Sequence, residues 1–227
     1  SNEMKGKFPL SLISTPINDR GVFQVVSTGA KSFGSEDIHL LELLIGHTTE
    51  ALKRITLQET LKKQAIHDPL TGLYNRYFLR QAIEYEKRAS KRYNHSIAFI
   101  LIDINDLKEI NDNYGHQVGD DAILTISDFL SNEARYADIV VRFGGDEFLI
   151  MLPQTGEEVT HVKDRMNAKN LTWNNEVNTH PFQITYSIGS AFWNSSSDMT
   201  IEDVIALADK EMYKNKREQK RNRNEKK

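Results

Sequence analysis

Two periods of apolar residues run along this chain, and the places where one gives way to the other mark its elements. "GVFQVVST", Gly21 to Thr28, alternates apolar and polar side chains and predicts a strand. From Ser35 a helical pattern runs through "SEDIHLLELLIGHTTEALKRITLQETLKKQA", one long helix with Ser35 as its N-cap and Asp37 in its first turn. Ile38, Leu41, Ile45, Thr48, Leu52 and Ile55 keep the three-four spacing of a coiled-coil seam, after which Leu57 and Leu61 fall out of phase. A helix packed on its own domain and a dimerising connector both fit that stripe.

The helix breaks at "HDPLTGLYNR", where Pro69 disfavours helical geometry at Asp68 and Gly72 supplies a turn. A second helix is predicted from about Tyr77 to Arg92. "SIAFILID", Ser96 to Asp103, is almost continuously apolar until its closing carboxylate, which predicts a central strand covered on both faces. "NDLKEINDNYGHQVGDD" predicts a short helix and two glycine turns, and "AILTISDFLSNEA" a further helix. "ADIVVRF" and "EFLIML" face each other across Gly144-Gly145 as a hairpin. A helix over "GEEVTHVKDRMNAKN" follows, then alternation through Phe182, Ile184, Tyr186 and Ile188, then an amphipathic helix over "TIEDVIALADKEMYKNK" and a basic end. Helices alternate with strands while one strand pair is a tight hairpin, so the fold class is α+β, and the sheet is not purely parallel. The expected division is 1–34, a partial segment; 35–66, a connector helix; and 67–227, the main domain.

Composition narrows the function. The 227 residues, 39% hydrophobic and 27% charged, are ordinary for a globular protein, and a net charge of −3 argues against nucleic acid or an anionic membrane as a whole-chain partner. Without cysteine there are no disulfides, iron–sulfur clusters or thiolate zinc sites, and a reducing, cytoplasmic setting is expected. No apolar run is long enough to cross a bilayer and no signal peptide opens the chain. Ser1-Asn2 reads as a cloning remnant, so the natural protein is expected to extend further N-terminally, with or without a membrane anchor.

The chemistry gathers at strand ends. Asp103 closes one strand, and Asp146 and Glu147 stand at the hairpin tip. If the two strands are neighbours, three carboxylates meet at one edge and repel unless a cation intervenes. No cysteine and no paired histidines at ligand spacing leave a hard, oxygen-liking cation, Mg²⁺ or Mn²⁺, whose other ligands are commonly phosphate oxygens. Gly144 and Gly145 are expected to accept positive φ and to let a bulky ligand approach the backbone. After Asp103 come Lys108, Asn111, His116 and Asp120. Lysine neutralises phosphate as a point charge. An amide with a carboxylate reads guanine, whose N1–H and exocyclic amine give the carboxylate two donors that adenine lacks.

"DPLTGLYNR", "DINDLKEINDNYGHQVGDD", "RFGGDEF", "YSIG" and "ADKEMY", in this order and approximate spacing, resemble the GGDEF domain of diguanylate cyclases from about Ile66 to Lys220. The resemblance implies a nucleotidyl-cyclase or palm-like fold, a mostly antiparallel sheet of about five strands wrapped by helices. It implies condensation of two GTP to cyclic di-GMP with release of pyrophosphate, in a two-fold homodimer that brings two GTP face to face. Asp103, the Ile104 carbonyl and Asp146, with Glu147, are then ligands of two Mg²⁺ or Mn²⁺ ions per GTP. Asp146 or Glu147 helps deprotonate the 3′-hydroxyl, and base and ligand are not separated at this point. Lys108 and Lys216 resemble phosphate-binding lysines, Asn111 and Asp120 the guanine readers, and His116 lies near ribose or base.

"RYAD" resembles the family's inhibitory RxxD motif, so Arg135 and Asp138, with Arg165 on the following helix, are expected to bind cyclic di-GMP as an inhibitor. The chain departs from the family pattern at three positions and in the tail beyond them. Asn105 stands for a usual Asp, Leu107 for a usual Phe, Gln219 for a glycine, and Lys220 is the positional match for the second phosphate clamp. A final strand after that glycine is expected to be short or missing. This altered tail keeps an alternative open, a catalytically weak domain that serves as a cyclic di-GMP receptor. Gly21 to Ile55 is similar to the closing strand and helix of a GAF sensor domain, without the length that a ligand pocket needs.

Overall fold

The computed structural model describes residues 11–17, 21–27 and 33–224, and in them the apolar runs become strands of two separate sheets. The chain forms two compact units, Ser1–Lys63 and Gln64–Lys227. In the first, β1 (Ser11–Pro16) pairs antiparallel with β2 (Val22–Ser27), with Ser11 opposite Ser27 and Pro16 opposite Val22. β2 is the predicted strand, whose last expected residue, Thr28, lies outside the described residues; β1 was not anticipated. The long helix α1 (Ser35–Ile66) has none of its side chains buried. Ser35 is its first helical residue and not its cap: the Gly34 amide donates to Asp37 Oδ2 at 2.9 Å, and Ile38 N–H to the Gly34 carbonyl at 3.1 Å. Asp37 thus satisfies an amide from inside the first turn.

The second unit carries β3 (Tyr74–Asn75), α2 (Arg76–Tyr93), β4 (Ile97–Ile104), α3 (Leu107–Tyr114) and α4 (His116–Glu133). It continues with β5 (Ile139–Arg142), β6 (Glu147–Pro153), α5 (Val159–Glu176), β7 (Tyr186–Trp193) and α6 (Ile201–Asn224). Its sheet has the order β3-β5-β6-β4-β7; β3 runs parallel to β5 and every other pair is antiparallel. β4 is central, and the two faces of its apolar run go to different layers. Ala98, Ile100, Ile102 and Ile104 pack with Ile123, Ile126 and Leu130 of α4 and Val162 and Met166 of α5. Ile97, Phe99 and Leu101 pack with Leu79 of α2 and Val204, Ala208 and Met212 of α6. Each buried side chain of this size contributes about 1.5–3 kcal/mol, which is why the strand is apolar at successive positions and tolerates a carboxylate only at its end.

Two departures from the predicted elements have local causes. Gly119 lies inside α4 and makes no turn; a Cβ there would fall 1.9 Å from Asn111 Oδ1, so the glycine admits α3 against α4. The alternation from Phe182 becomes strand only at Tyr186. Before that, side chains of α5 and of the turn after it replace a neighbouring strand: Asn174 accepts from Ile184 N–H and donates to its carbonyl, both at 2.8 Å, and Asn178 donates to the Phe182 carbonyl at 2.8 Å. Among the described residues no helix is long and apolar enough to cross a membrane.

Candidate active site

Asp103 stands opposite Glu147 in the β4–β6 register, and Ile104 N–H donates to the Asp146 carbonyl at 3.0 Å. The strands are neighbours, so the three carboxyl-bearing residues share one edge. The turn between β5 and β6 is closed by the Glu147 carbonyl, which accepts from the amides of Phe143 at 2.8 Å and Gly144 at 3.1 Å. Neither Gly144 nor Gly145 has a positive φ, contrary to expectation, because this closure requires no left-handed residue. Their use is space. A Cβ on Gly144 would lie 2.7 Å from Glu147 Oε2, and one on Gly145 would meet nothing within 4 Å, which leaves that stretch of backbone open to a ligand.

The turn is braced by a residue to which sequence reasoning gave no role. Arg142 donates through Nη2 to the Gly145 carbonyl at 2.8 Å and through Nη1 to Asp68 Oδ1 at 3.0 Å. Asp68 also accepts from Thr71 N–H at 2.9 Å and its hydroxyl at 2.8 Å. Burial is the largest single influence on Asp68 and pulls its pKa upward, but Thr71 and Arg142 together hold it below the ordinary value. Asn75 caps α2, accepting from Tyr77 N–H at 3.0 Å and Phe78 N–H at 3.1 Å. "DPLTGLYNR" is therefore a clamp that begins a helix and steadies the acidic turn. An arginine just before a paired-glycine turn was its one visible signal.

Burial, first, and then the charge of Asp146 push the Asp103 carboxyl up; Lys216 and Lys220 oppose them, and Lys216 Nζ donates to Asp103 Oδ1 at 2.5 Å. Glu147 is pushed up by burial and then by Asp146, Asp103 and Asp209, against Lys216. Asp209, on α6, lies in the "ADKEMY" motif, but sequence reasoning gave it no role. Among the described residues no group of three or more metal-ligating side chains converges closely enough to complete a metal centre. The donor set, carboxylates with adjacent backbone carbonyls, still suits Mg²⁺, which commonly takes one or two protein carboxylates and fills its shell with water and phosphate.

Asn111 of α3 leans on Gly119 of α4, the residue before Asp120. The two expected guanine readers are thereby brought to one helix–helix junction. His116 is the exposed first residue of α4, and Lys108 is exposed in the first turn of α3. Asn105 is buried; its amide donates to Thr185 Oγ1 at 3.2 Å and Gln219 Oε1 at 2.8 Å, and its oxygen accepts from Ser187 Oγ at 2.7 Å. α6 is helical to Asn224, beyond the expected end of its pattern and through Gln219 and Lys220.

Arg135 and Asp138 form a tight turn: the Arg135 amide donates to Asp138 Oδ2 at 2.7 Å, and Asp138 N–H to the Arg135 carbonyl at 3.0 Å. Burial pushes the Asp138 carboxyl up, against the Arg135 amide and the charges of Arg135 and Arg165. Arg165 is also engaged by Glu133, with Nε 3.4 Å from Oε2 and Nη2 donating to the backbone carbonyl at 3.2 Å. Lys169 Nζ meets the same carboxylate at 2.7 Å.

A helix-wrapped sheet with an acidic strand end beside an open hairpin turn defines a palm-like α+β domain. The chain belongs to the GGDEF family: residues 65–223 match the family described as diguanylate cyclase, GGDEF domain. It is 30% identical over 206 residues to diguanylate cyclase DosC of Escherichia coli (strain K12), covering 87% of this chain and 44% of DosC. Its structure is similar to that of diguanylate cyclase SiaD from Pseudomonas aeruginosa, crystallised with its activator SiaC. The TM-score is 0.62 at 29% identity, over 81% of this chain and 70% of that one. It shares its fold with the coiled coil and GGDEF domain of DgcB from Caulobacter crescentus, solved in complex with c-di-GMP. There the TM-score is 0.68 at 24% identity, over 78% of this chain and 94% of that one. The chain spans between about a quarter and about half the length of the curated relatives it matches.

Proposed function

We propose that this chain is the catalytic part of a diguanylate cyclase, which condenses two GTP into cyclic di-GMP and releases two pyrophosphates. The observation that carries the reading is the edge shared by Asp103 on the buried central strand and by Asp146 and Glu147 on an open turn braced by Arg142. In this reading Asp103, the Ile104 carbonyl, Asp146 and Glu147 hold two divalent ions, Mg²⁺ or Mn²⁺, with each GTP. Bound there, the ions supply activation of the attacking oxygen and neutralisation of the α-phosphate. Lys216 and Lys220 reach the phosphates from α6 and Lys108 from α3, each as a point charge. Asn111 and Asp120 bind the guanine edge, with His116 beside ribose or base, and Asp146 or Glu147 takes the 3′-hydroxyl proton.

One domain holds one GTP, so the second is presented by a partner subunit in a two-fold homodimer. Arg135, Asp138 and Arg165 make a second site, where cyclic di-GMP binds as an inhibitor. The β1–β2 hairpin with α1 is read as the closing part of a GAF-like sensor and its connector.

The test is direct. Purified protein incubated at micromolar concentration with GTP and Mg²⁺ yields cyclic di-GMP, resolved from GTP by chromatography, and excess ATP does not compete. Cyclic di-GMP binding in calorimetry without any turnover assigns the chain to the receptor role instead.

A further inference from the structure

We propose that Asn105 and Gln219 are a matched pair of positioning residues that hold the lysines of α6 over the Asp103 end of β4. The inference rests on the cyclase reading above, because the lysines in question are those assigned to phosphate. Asn105 and Gln219 are the two polar departures from the family pattern, and the structure joins them across 114 positions with one 2.8 Å hydrogen bond.

β7 is an edge strand, and an open edge needs cover. α6 supplies it through three side chains spaced by four, Glu211, Asn215 and Gln219. They meet alternate residues of β7: Ser190 N–H donates to Glu211 Oε2 at 2.5 Å, Ile188 N–H to Asn215 Oδ1 at 3.2 Å, and Gln219 Nε2 to the Tyr186 carbonyl at 3.3 Å. Four helical residues advance about 6 Å and two strand residues about 6.6 Å, so the rungs stay in register. Gly189 lets the backbones close up; a Cβ there would fall 2.1 Å from the Ala208 carbonyl oxygen.

The ladder dictates the chemistry at position 105. The Ile188 amide orients the Asn215 oxygen toward β7. That oxygen and the Tyr186 carbonyl are both acceptors for Gln219 nitrogen, at 2.9 and 3.3 Å, so the Gln219 oxygen faces the other way. It then requires a donor, which Asn105 Nδ2 provides and an ionised Asp has none to give. Residue 105 is 7% exposed, so an unmatched oxygen pair there has little access to water. Gln219 also keeps the helix going where a glycine favours its end. One turn before it Lys216 contacts Asp103, and one turn after it Arg223 pairs with Asp106. The pair therefore sits between two cation–carboxylate contacts and fixes their spacing.

A double-mutant cycle over Asn105→Asp and Gln219→Ala tests this, with two readouts. One is calorimetric binding of a non-hydrolysable GTP analogue with Mg²⁺; the other is hydrogen exchange over residues 214–224. With Gln219 in place, Asn105→Asp is expected to weaken the analogue about tenfold and to speed exchange in that segment, the scale of one buried charge-affected hydrogen bond. In the Gln219→Ala background the same substitution is expected to have a several-fold smaller effect on both. Equal effects of Asn105→Asp in both backgrounds overturn the pairing. So does a fall in melting temperature with analogue affinity unmoved, which marks a merely structural contact. If the wild-type protein binds no analogue, the cyclase reading falls, and the exchange data still judge the coupling of 105 to 219.

Discussion

Asp103 and Asp138 are both pushed toward protonation mainly by burial, yet they keep opposite company. Around Asp103 stand Asp146 and Glu147, so carboxylates outnumber the nearby cations Lys216 and Lys220. Around Asp138 the surplus reverses, with Arg135, Arg165 and Lys169 against Asp138 and Glu133. The surplus at the first cluster favours a cation and the surplus at the second favours an anion. A metal-bound triphosphate and a phosphodiester product are chemically suited to those two demands. Local charge surplus, and not burial or residue type alone, separates the candidate catalytic edge from the candidate regulatory turn.

The strongest way to break this contrast is at the acidic edge. Asp146→Ala is expected to lower cyclic di-GMP production about a thousandfold, the scale of removing one preorganised electrostatic contact, while circular dichroism and melting stay near wild type. Substantial activity in a folded variant removes Asp146 from the metal set.

The next effect sharpens what holds that edge in place. Asp68→Asn is expected to destabilise the domain by about 2 kcal/mol, since it weakens the charged bond to Arg142. Because Asp68 is held below its ordinary value of 3.8, its contribution is present above that value and is lost as pH falls through the lower, folded-state pKa. Chemical denaturation of the wild type should therefore lose stability below about pH 4, and the variant should show a flatter acid limb. Identical acid limbs would mean that the Asp68–Arg142 bond does not contribute.

A smaller effect belongs to the cationic turn. Arg135→Ala is expected to weaken inhibition by cyclic di-GMP about tenfold with the initial rate retained, the worth of one charge-assisted hydrogen bond. Unchanged inhibition removes this turn from the product site.

Much of the fold was legible because its signals are local. The run from Ile97 to Ile104 had to be a strand covered on both faces, since no solvent-facing position interrupts it. The hairpin around Gly144-Gly145 was legible from alternation on both sides. What escaped depends on residues far apart in the chain. The extended segment before Tyr186 looks like strand by pattern, but its partners are Asn174 of α5 and Asn178 just after it. Gly119 looks like a turn until Asn111 is seen resting on it. Arg142 reaches Asp68 across 74 positions, and Gln219 registered as a missing glycine and not as the partner of Asn105. The candidate site residues were named from motifs; their bracing was not, because side-chain hydrogen bonds leave no periodic trace.

The smallest effect makes the sharpest use of the comparison. If the turn at Arg135 is completed by an anion, then Glu133 already offers one, since its carboxylate holds both Arg165 and Lys169. Its side chain is only 9% exposed while those of Arg165 and Lys169 are 43% and 54% exposed, so the cations can swing away to a ligand more readily than Glu133 can follow. A phosphate arriving at Arg165 must compete with that carboxylate. Glu133→Gln keeps the size of the side chain and removes its charge, so cyclic di-GMP should bind about fivefold tighter, the worth of one partly exposed ion pair. Tighter binding with lower tolerance of added salt would tie the gain to charge. Binding that is unchanged or weaker would place Arg165 outside the product site and leave the Arg135–Asp138 turn to act without it.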